Sequence, residues 1–125
     1  MSDSCNRPLI KFKDKTFSCA TSIAMDLIGG KWKSVILVYL IDNPKRYNEL
    51  RKLIPTITER TLSLQLKQLE KDGLISRKVY TKKPPLKVEY SLTEFGQSAA
   101  PVLLEIAKWG TNVVEQKGEY LSEAS

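Results

Sequence analysis

Apolar residues recur along most of this chain at helical spacing, and the breaks between these stretches fall at glycine and proline. From Thr21, the series Ile23, Ala24, Leu27 and Ile28 puts apolar side chains three and four residues apart. That spacing predicts a short helix capped by Thr21 or Ser22 and ended by Gly29 and Gly30. A second helix is predicted from Lys31 to about Ile41, with Trp32, Val35, Ile36, Tyr39 and Leu40 on one face and Lys31, Lys33 and Ser34 largely off it. Asp42, Asn43 and Pro44 stop it, because proline lacks an amide donor and pushes its predecessor out of helical geometry.

A third helix, from about Tyr47 to Ile54, turns Leu50, Leu53 and Ile54 inward and Asn48, Glu49, Arg51 and Lys52 outward, and Pro55 terminates it. The next helix can start at Thr56, with Glu59 as reciprocal capping partner, or at Thr58, with Glu59 in the first turn; Thr58 is favoured. Leu62, Leu66 and Leu69 form its inward stripe. At about 100° per residue, Arg60, Leu64, Lys67 and Lys71 lie opposite that stripe, flanked by Ser63 and Gln68. Two amphipathic helices joined by so short a break are the geometry that presents a second helix to the major groove of DNA. In that groove Arg60 suits guanine and Gln68 adenine, while Thr61 and Ser63 suit bases or phosphates and Leu64 suits a thymine methyl. A solvated surface partnership of Arg60 with Glu59 or Asn48, and simple exposure of Leu64, are the plain alternatives.

Gly73 fits the residue that closes a helix. Beyond it, LISRKVY and KVEYSL are rich in β-branched and aromatic residues on either side of TKKPPL, which predicts a hairpin with a basic tip. Val88, Tyr90 and Leu92 alternate cleanly with Lys87, Glu89 and Ser91, whereas the first strand alternates poorly. Lys82, Lys83 and Lys87 would project from the tip toward phosphates or the minor groove. Thr93 is the expected cap of a final helix that tolerates or bends at Pro101. Its stripe of Val102, Leu103, Ile106, Trp109, Val113 and Val114 exceeds what one small core needs, which favours burial against a second copy of the chain over packing on the same chain beside Trp32. A two-fold axis would then space two reading helices to match a palindromic site. Residues 1–18 show no sustained period and are expected to form an irregular arm, and residues 117–125 a tail.

Composition sharpens this picture. With 125 residues and 42% hydrophobic content, one domain is expected. The net charge of +6 favours a polyanionic partner. The chain has no histidine, which removes Ser-His-Asp and Cys-His catalysis and histidine-based metal sites, so an enzyme is not expected. No apolar run approaches the roughly 18 residues that cross a bilayer, and the first residues lack a signal-peptide core. A cytoplasmic protein without membrane association is expected, with its two cysteines, Cys5 and Cys19, held as thiols.

The run CATSIAMDLIGGKWKSVIL from Cys19, PKRYNELRKLIP from Pro44, LEKDGLISRKVY from Leu69 and VEYSLTEFG from Val88 together resemble the HxlR-type winged helix-turn-helix transcription regulators. The resemblance spans residues 19–116. It implies a mainly α fold with a small β hairpin (α+β), a winged helix-turn-helix whose N- and C-terminal helices dimerise. It also implies double-stranded DNA as partner and no cofactor. Cys19 stands where many members carry a cysteine, which in some of them senses electrophiles or oxidants; here Ala20 follows it instead of the more usual proline. A thiol near a helix N-terminus can be made reactive by a lowered pKa, and free cysteine is otherwise a small buried hydrophobe. Cys5 is a candidate resolving partner.

The expected function is therefore that of a homodimeric, sequence-specific DNA-binding regulator. It would use Thr58, Arg60, Thr61, Ser63, Leu64, Lys67, Gln68, Lys82, Lys83 and Lys87 on a palindromic operator, with Cys19 as redox sensor. The small-molecule or oxidant signal has no signature in the residues. The alternative is a winged-helix protein-interaction module without sequence-specific DNA binding.

Overall fold

In the computed structural model, which describes residues 8–81, 83–85 and 87–121, the core closes beneath the leucine stripe. Leu62, Leu66 and Leu69 line the inner side of α4 (Glu59–Lys71) and are buried. They meet Ile36, Leu37 and Leu40 of α2 (Lys33–Leu40), Leu50 of α3 (Tyr47–Leu53) and Ile28 of α1 (Ala20–Ile28) in one cluster. Cys19 occupies the N-cap position of α1, two residues ahead of Thr21 and three ahead of Ser22, the expected caps, and makes no side-chain cap bond.

Two details of the predicted faces change. Leu37, which the periodicity left off the inner face of α2, is buried, while Trp32, Val35 and Tyr39 are only partly so. A helix surrounded by other elements buries a broader arc than an amphipathic stripe implies. Leu53 is 39% exposed, because the chain leaves helical geometry at Ile54, and Ile54 and Ile57 fill the space instead.

The wing is a hairpin of β4 (Ile75–Thr81) and β5 (Lys87–Leu92), extended to three strands by β3 (Lys45–Arg46) in the order β3-β5-β4, all antiparallel. Ile75 faces Leu92 and Arg77 faces Tyr90, and the register shifts between Val79 and Thr81. Residues 76–80 are all exposed, so neither face of the first strand calls for apolar alternation. The helix-to-wing joint is closed by backbone bonds from Gly73 to Glu70 and from Leu74 to Leu69, each 3.0 Å. Gly73 has φ +82° there, the left-handed geometry that ends a helix without a side-chain clash.

Beyond the wing, Thr93 caps α5 (Glu94–Ser98), accepting from the Gly96 amide at 3.0 Å and donating to the Gly73 carbonyl at 2.5 Å. A Cβ on Gly96 would stand 2.1 Å from the Leu74 carbonyl oxygen, so only glycine lets the two segments pack this closely. The single final helix expected after Thr93 is instead two. The chain turns at Ala99 and α6 (Ala100–Lys117) begins with Pro101 in its first turn, where a missing amide costs nothing. α6 packs along α2 and buries Leu103.

The irregular arm expected over residues 1–18 is corrected within its described part. β1 (Ile10–Phe12) and β2 (Lys15–Phe17) form a hairpin that half-buries Ile10, Phe12 and Phe17. Its turn residue Lys13 has φ 57° and donates from Nζ to the Asp72 carbonyl at 3.0 Å, while Lys15 pairs with Asp26 at 3.2 Å. Strands of three residues are too short to show a period, and ion pairs to Asp26 in α1 and to Asp72 just past α4 tie them down.

Candidate nucleic-acid interface

The turn between α3 and α4 is fixed from both sides. Thr58 Oγ1 accepts from the Thr61 amide at 3.1 Å, which satisfies an orphan donor at the start of α4, with Glu59 in the first turn. The Tyr47 hydroxyl donates to the Glu59 carbonyl at 3.0 Å, and Arg51 pairs with the Glu59 carboxylate at 2.6 Å. Ile54 and Ile57 are buried under the turn. With its underside anchored by leucines and its first turn tied to α3, α4 has one face left for solvent.

That face carries Arg60, Ser63, Leu64, Lys67, Gln68 and Lys71, all exposed. Among the described residues Arg60, Lys67 and Lys71 form no ion pair. The Glu59 carboxylate, considered above as a partner for Arg60, is taken by Arg51. Leu64 is 56% exposed in the middle of the ridge. Thr61 is half-buried, its hydroxyl accepting from that of Thr58 at 2.9 Å. Gln68 donates from Nε2 to the two carboxylate oxygens of Asp72 at 3.2 and 3.3 Å, so its amide reaches a base only by exchanging those bonds.

Of the wing lysines, Lys83 and Lys87 are exposed, and Lys82 lies outside the described residues. The Tyr80 ring sits between Lys78 at 4.8 Å and Lys87 at 5.3 Å, a cationic edge with an aromatic centre. Glu89 holds the Tyr80 phenol above its ordinary pKa, first by hydrogen bonding, then through desolvation and its own charge.

Between α4 and the wing runs a groove of about 360 Å³ lined by Tyr47, Ser63, Lys67, Glu70, Arg77 and Tyr90. Tyr47, Arg77 and Tyr90 were not among the positions picked from sequence. Their signal was available only in part: Tyr90 read as a core position of its strand, and Arg77 lies in the strand whose alternation is broken.

Cys19 is 8% exposed and is a disulfide cysteine, not the thiol expected from a reducing compartment. Cys5 lies outside the described residues. Among the described residues no cluster of acidic, cysteine or histidine side chains could hold a metal, and no helix is long and apolar enough to cross a membrane.

A tightly turned helix pair with an exposed cationic second helix, followed by a basic two-stranded hairpin, defines a winged helix-turn-helix protein. A family model described as HxlR-like helix-turn-helix matches residues 27–118, and the chain belongs to this family of transcriptional regulators. It is 56% identical over 92 residues to the HTH-type transcriptional regulator YdeP of Bacillus subtilis (strain 168), covering 74% of this chain and 71% of that one. Among solved structures it is similar to the redox regulator HypR in its oxidised form, at TM-score 0.72 and 48% identity over 75% of this chain and 96% of that one. The reduced form of HypR matches with TM-score 0.73 and 45% identity over 80% and 98% of the two chains.

Proposed function

We propose that this protein is a cytoplasmic homodimer that binds a palindromic DNA site through α4 and the wing, and that conversion of Cys19 between thiol and disulfide alters its occupancy of that site. The observation that carries the reading is the ridge of Arg60, Lys67 and Lys71, which form no ion pair among the described residues, on a helix whose underside of Leu62, Leu66 and Leu69 is buried. Cations left unpaired at a protein surface gain most from a polyanion, whose condensed counterions they release. Thr58 serves here by capping the helix, and Thr61, Ser63, Leu64 and Gln68 supply the uncharged contacts that discriminate bases. Lys83 and Lys87, with Lys82, would grip the adjacent backbone.

The dimer is supported by apolar residues that the monomer leaves uncovered. Val102, Leu104, Ile106, Trp109 and Val113 of α6, Phe95 of α5 and Met25 of α1 are exposed. An apolar hollow of about 170 Å³ lies between α1, α5 and α6, lined by Ala24, Leu27, Phe95 and Val102 among others. Residues 19–116 form the functional unit in this reading. Redox control is supported by the place of Cys19 at the start of α1 and by the similarity to a redox regulator solved in two oxidation states.

Selection from a random duplex library with purified protein, run with and without an oxidant, tests the whole reading. The expected product is a sequence with two-fold symmetry, bound with a steep salt dependence and released or retained differently after oxidation. No enrichment, or binding indifferent to salt, would remove DNA as the partner and leave a protein-docking module.

A further inference from the structure

The groove between α4 and the wing carries chemistry that neither the reading helix nor the hairpin tip accounts for. We propose that it seats a single phosphodiester of the DNA backbone, held by Lys67 from the helix wall and Arg77 from the strand wall; this rests on the DNA-binding function proposed above. A helix in the major groove and a hairpin over the neighbouring groove must straddle the sugar-phosphate strand that separates the two grooves. The space between those two elements is this groove.

Its electrostatics suit an anion. Lys67 and Arg77 are both exposed, on opposite walls, and neither forms an ion pair among the described residues. Glu70 is the groove's sole acidic lining residue and is not paired with either cation. Arg77 is paired across the sheet with Tyr90, while Glu89 stands opposite the next residue, Lys78, and forms no ion pair with Arg77 among the described residues. A guanidinium offers two parallel donors to a phosphate, which fixes orientation as well as charge.

The walls are firm. Tyr47 and Tyr90 pack against the hydrophobic core, and the single hydroxyl proton of Tyr47 is given to the Glu59 carbonyl. Ser63 Oγ, 3.3 Å from the Tyr47 oxygen, is then the donor in that contact. The Tyr90 hydroxyl has no hydrogen-bond partner among the described residues and is left to donate to the phosphate. Glu70 repels an anion that slides along the groove and so limits where it settles.

The test uses the full chain, the duplex selected from the random library and a scrambled duplex, titrated by fluorescence anisotropy across a salt series. Arg77→Ala weakens both duplexes by about tenfold and lowers the salt slope by about one, and Arg77→Lys restores part of the loss. Glu70→Gln tightens both. A neutral methylphosphonate walked along the selected duplex weakens the native chain at one position in each half-site, and at that position costs Arg77→Ala less than it costs the native chain, the remainder being the Lys67 contact. Native affinity and slope in Arg77→Ala, or methylphosphonate losses that this variant leaves unchanged at every position, would overturn the phosphate seat. If Arg60→Ala loses affinity while Arg77→Ala does not, only the seat falls; if the native chain binds neither duplex, the DNA-binding reading falls with it.

Discussion

α4 and α6 each turn a wide face away from the core, and the two faces are opposite in chemistry. On α4 the exposed ridge is Arg60, Ser63, Lys67 and Lys71, with Leu64 as the apolar exception; on α6 Val102, Ile106, Trp109 and Val113 share one exposed arc at about 100° per residue. Water solvates the first face well and the second poorly, at roughly 25 cal/mol per Å² of exposed apolar surface. The α4 face therefore gains little from a dry partner and much from phosphates. For α6 the reverse holds, with Trp109 alone 70% exposed. Placing the two faces on different helices lets one engage a second copy while the other stays open to a duplex.

The largest effect on this comparison is expected beneath α4. Leu66→Ala should destabilise the fold by about 2–5 kcal/mol, read by urea denaturation, because Leu66 is buried in a closed cluster. A loss well below that range would mean that α4 is not held by its underside. Next comes the apolar face itself. Trp109→Glu should weaken self-association by about 2–4 kcal/mol and shift sedimentation equilibrium toward half the native mass, leaving the unfolding midpoint of the monomer little changed. A variant that sediments like the native chain would place the dimer contact elsewhere.

Arg60→Ala should cost about 1–3 kcal/mol on the selected duplex and relax base preference there, whereas Lys83→Ala should weaken selected and random duplexes alike and lower the salt slope by about one. Equal losses on random DNA for both would erase the distinction between ridge and wing. The smallest effect belongs to the cap. Thr58→Ala removes the acceptor for the Thr61 amide and should lower stability by about 1 kcal/mol, measured by thermal unfolding of the two proteins side by side.

Much of α4 and the wing was legible because their signals are local. Thr58 caps a helix with Glu59 in its first turn, leucines at helical spacing mark the inside, Gly73 marks the stop, and alternation from Val88 to Leu92 marks a strand. Each of these acts within a few residues of itself. What was not legible depended on distant partners. Leu37 is buried because neighbours approach α2 on more than one side, and Leu53 is exposed because the chain turns immediately after it. The hairpin at Ile10–Phe17 exists through Lys13 meeting Asp72 and Lys15 meeting Asp26, contacts that no period in so short a segment announces. Gln68, picked for a base, spends its amide on Asp72 one turn later.

From its sequence alone this chain was bound to form a helix pair with a tight joint, a ridge of long cations opposite a leucine underside, and a basic hairpin after it. Those features rest on local backbone preference and on apolar spacing, both written in consecutive residues. Tertiary packing decided that Arg77 and Tyr90 would stand across from Lys67, that Arg51 rather than Arg60 would take Glu59, and that α6 would bury Leu103 in the core and keep Trp109 outside. Those outcomes depend on where whole elements dock, and docking is settled by the shape and charge of surfaces assembled from residues far apart along the chain.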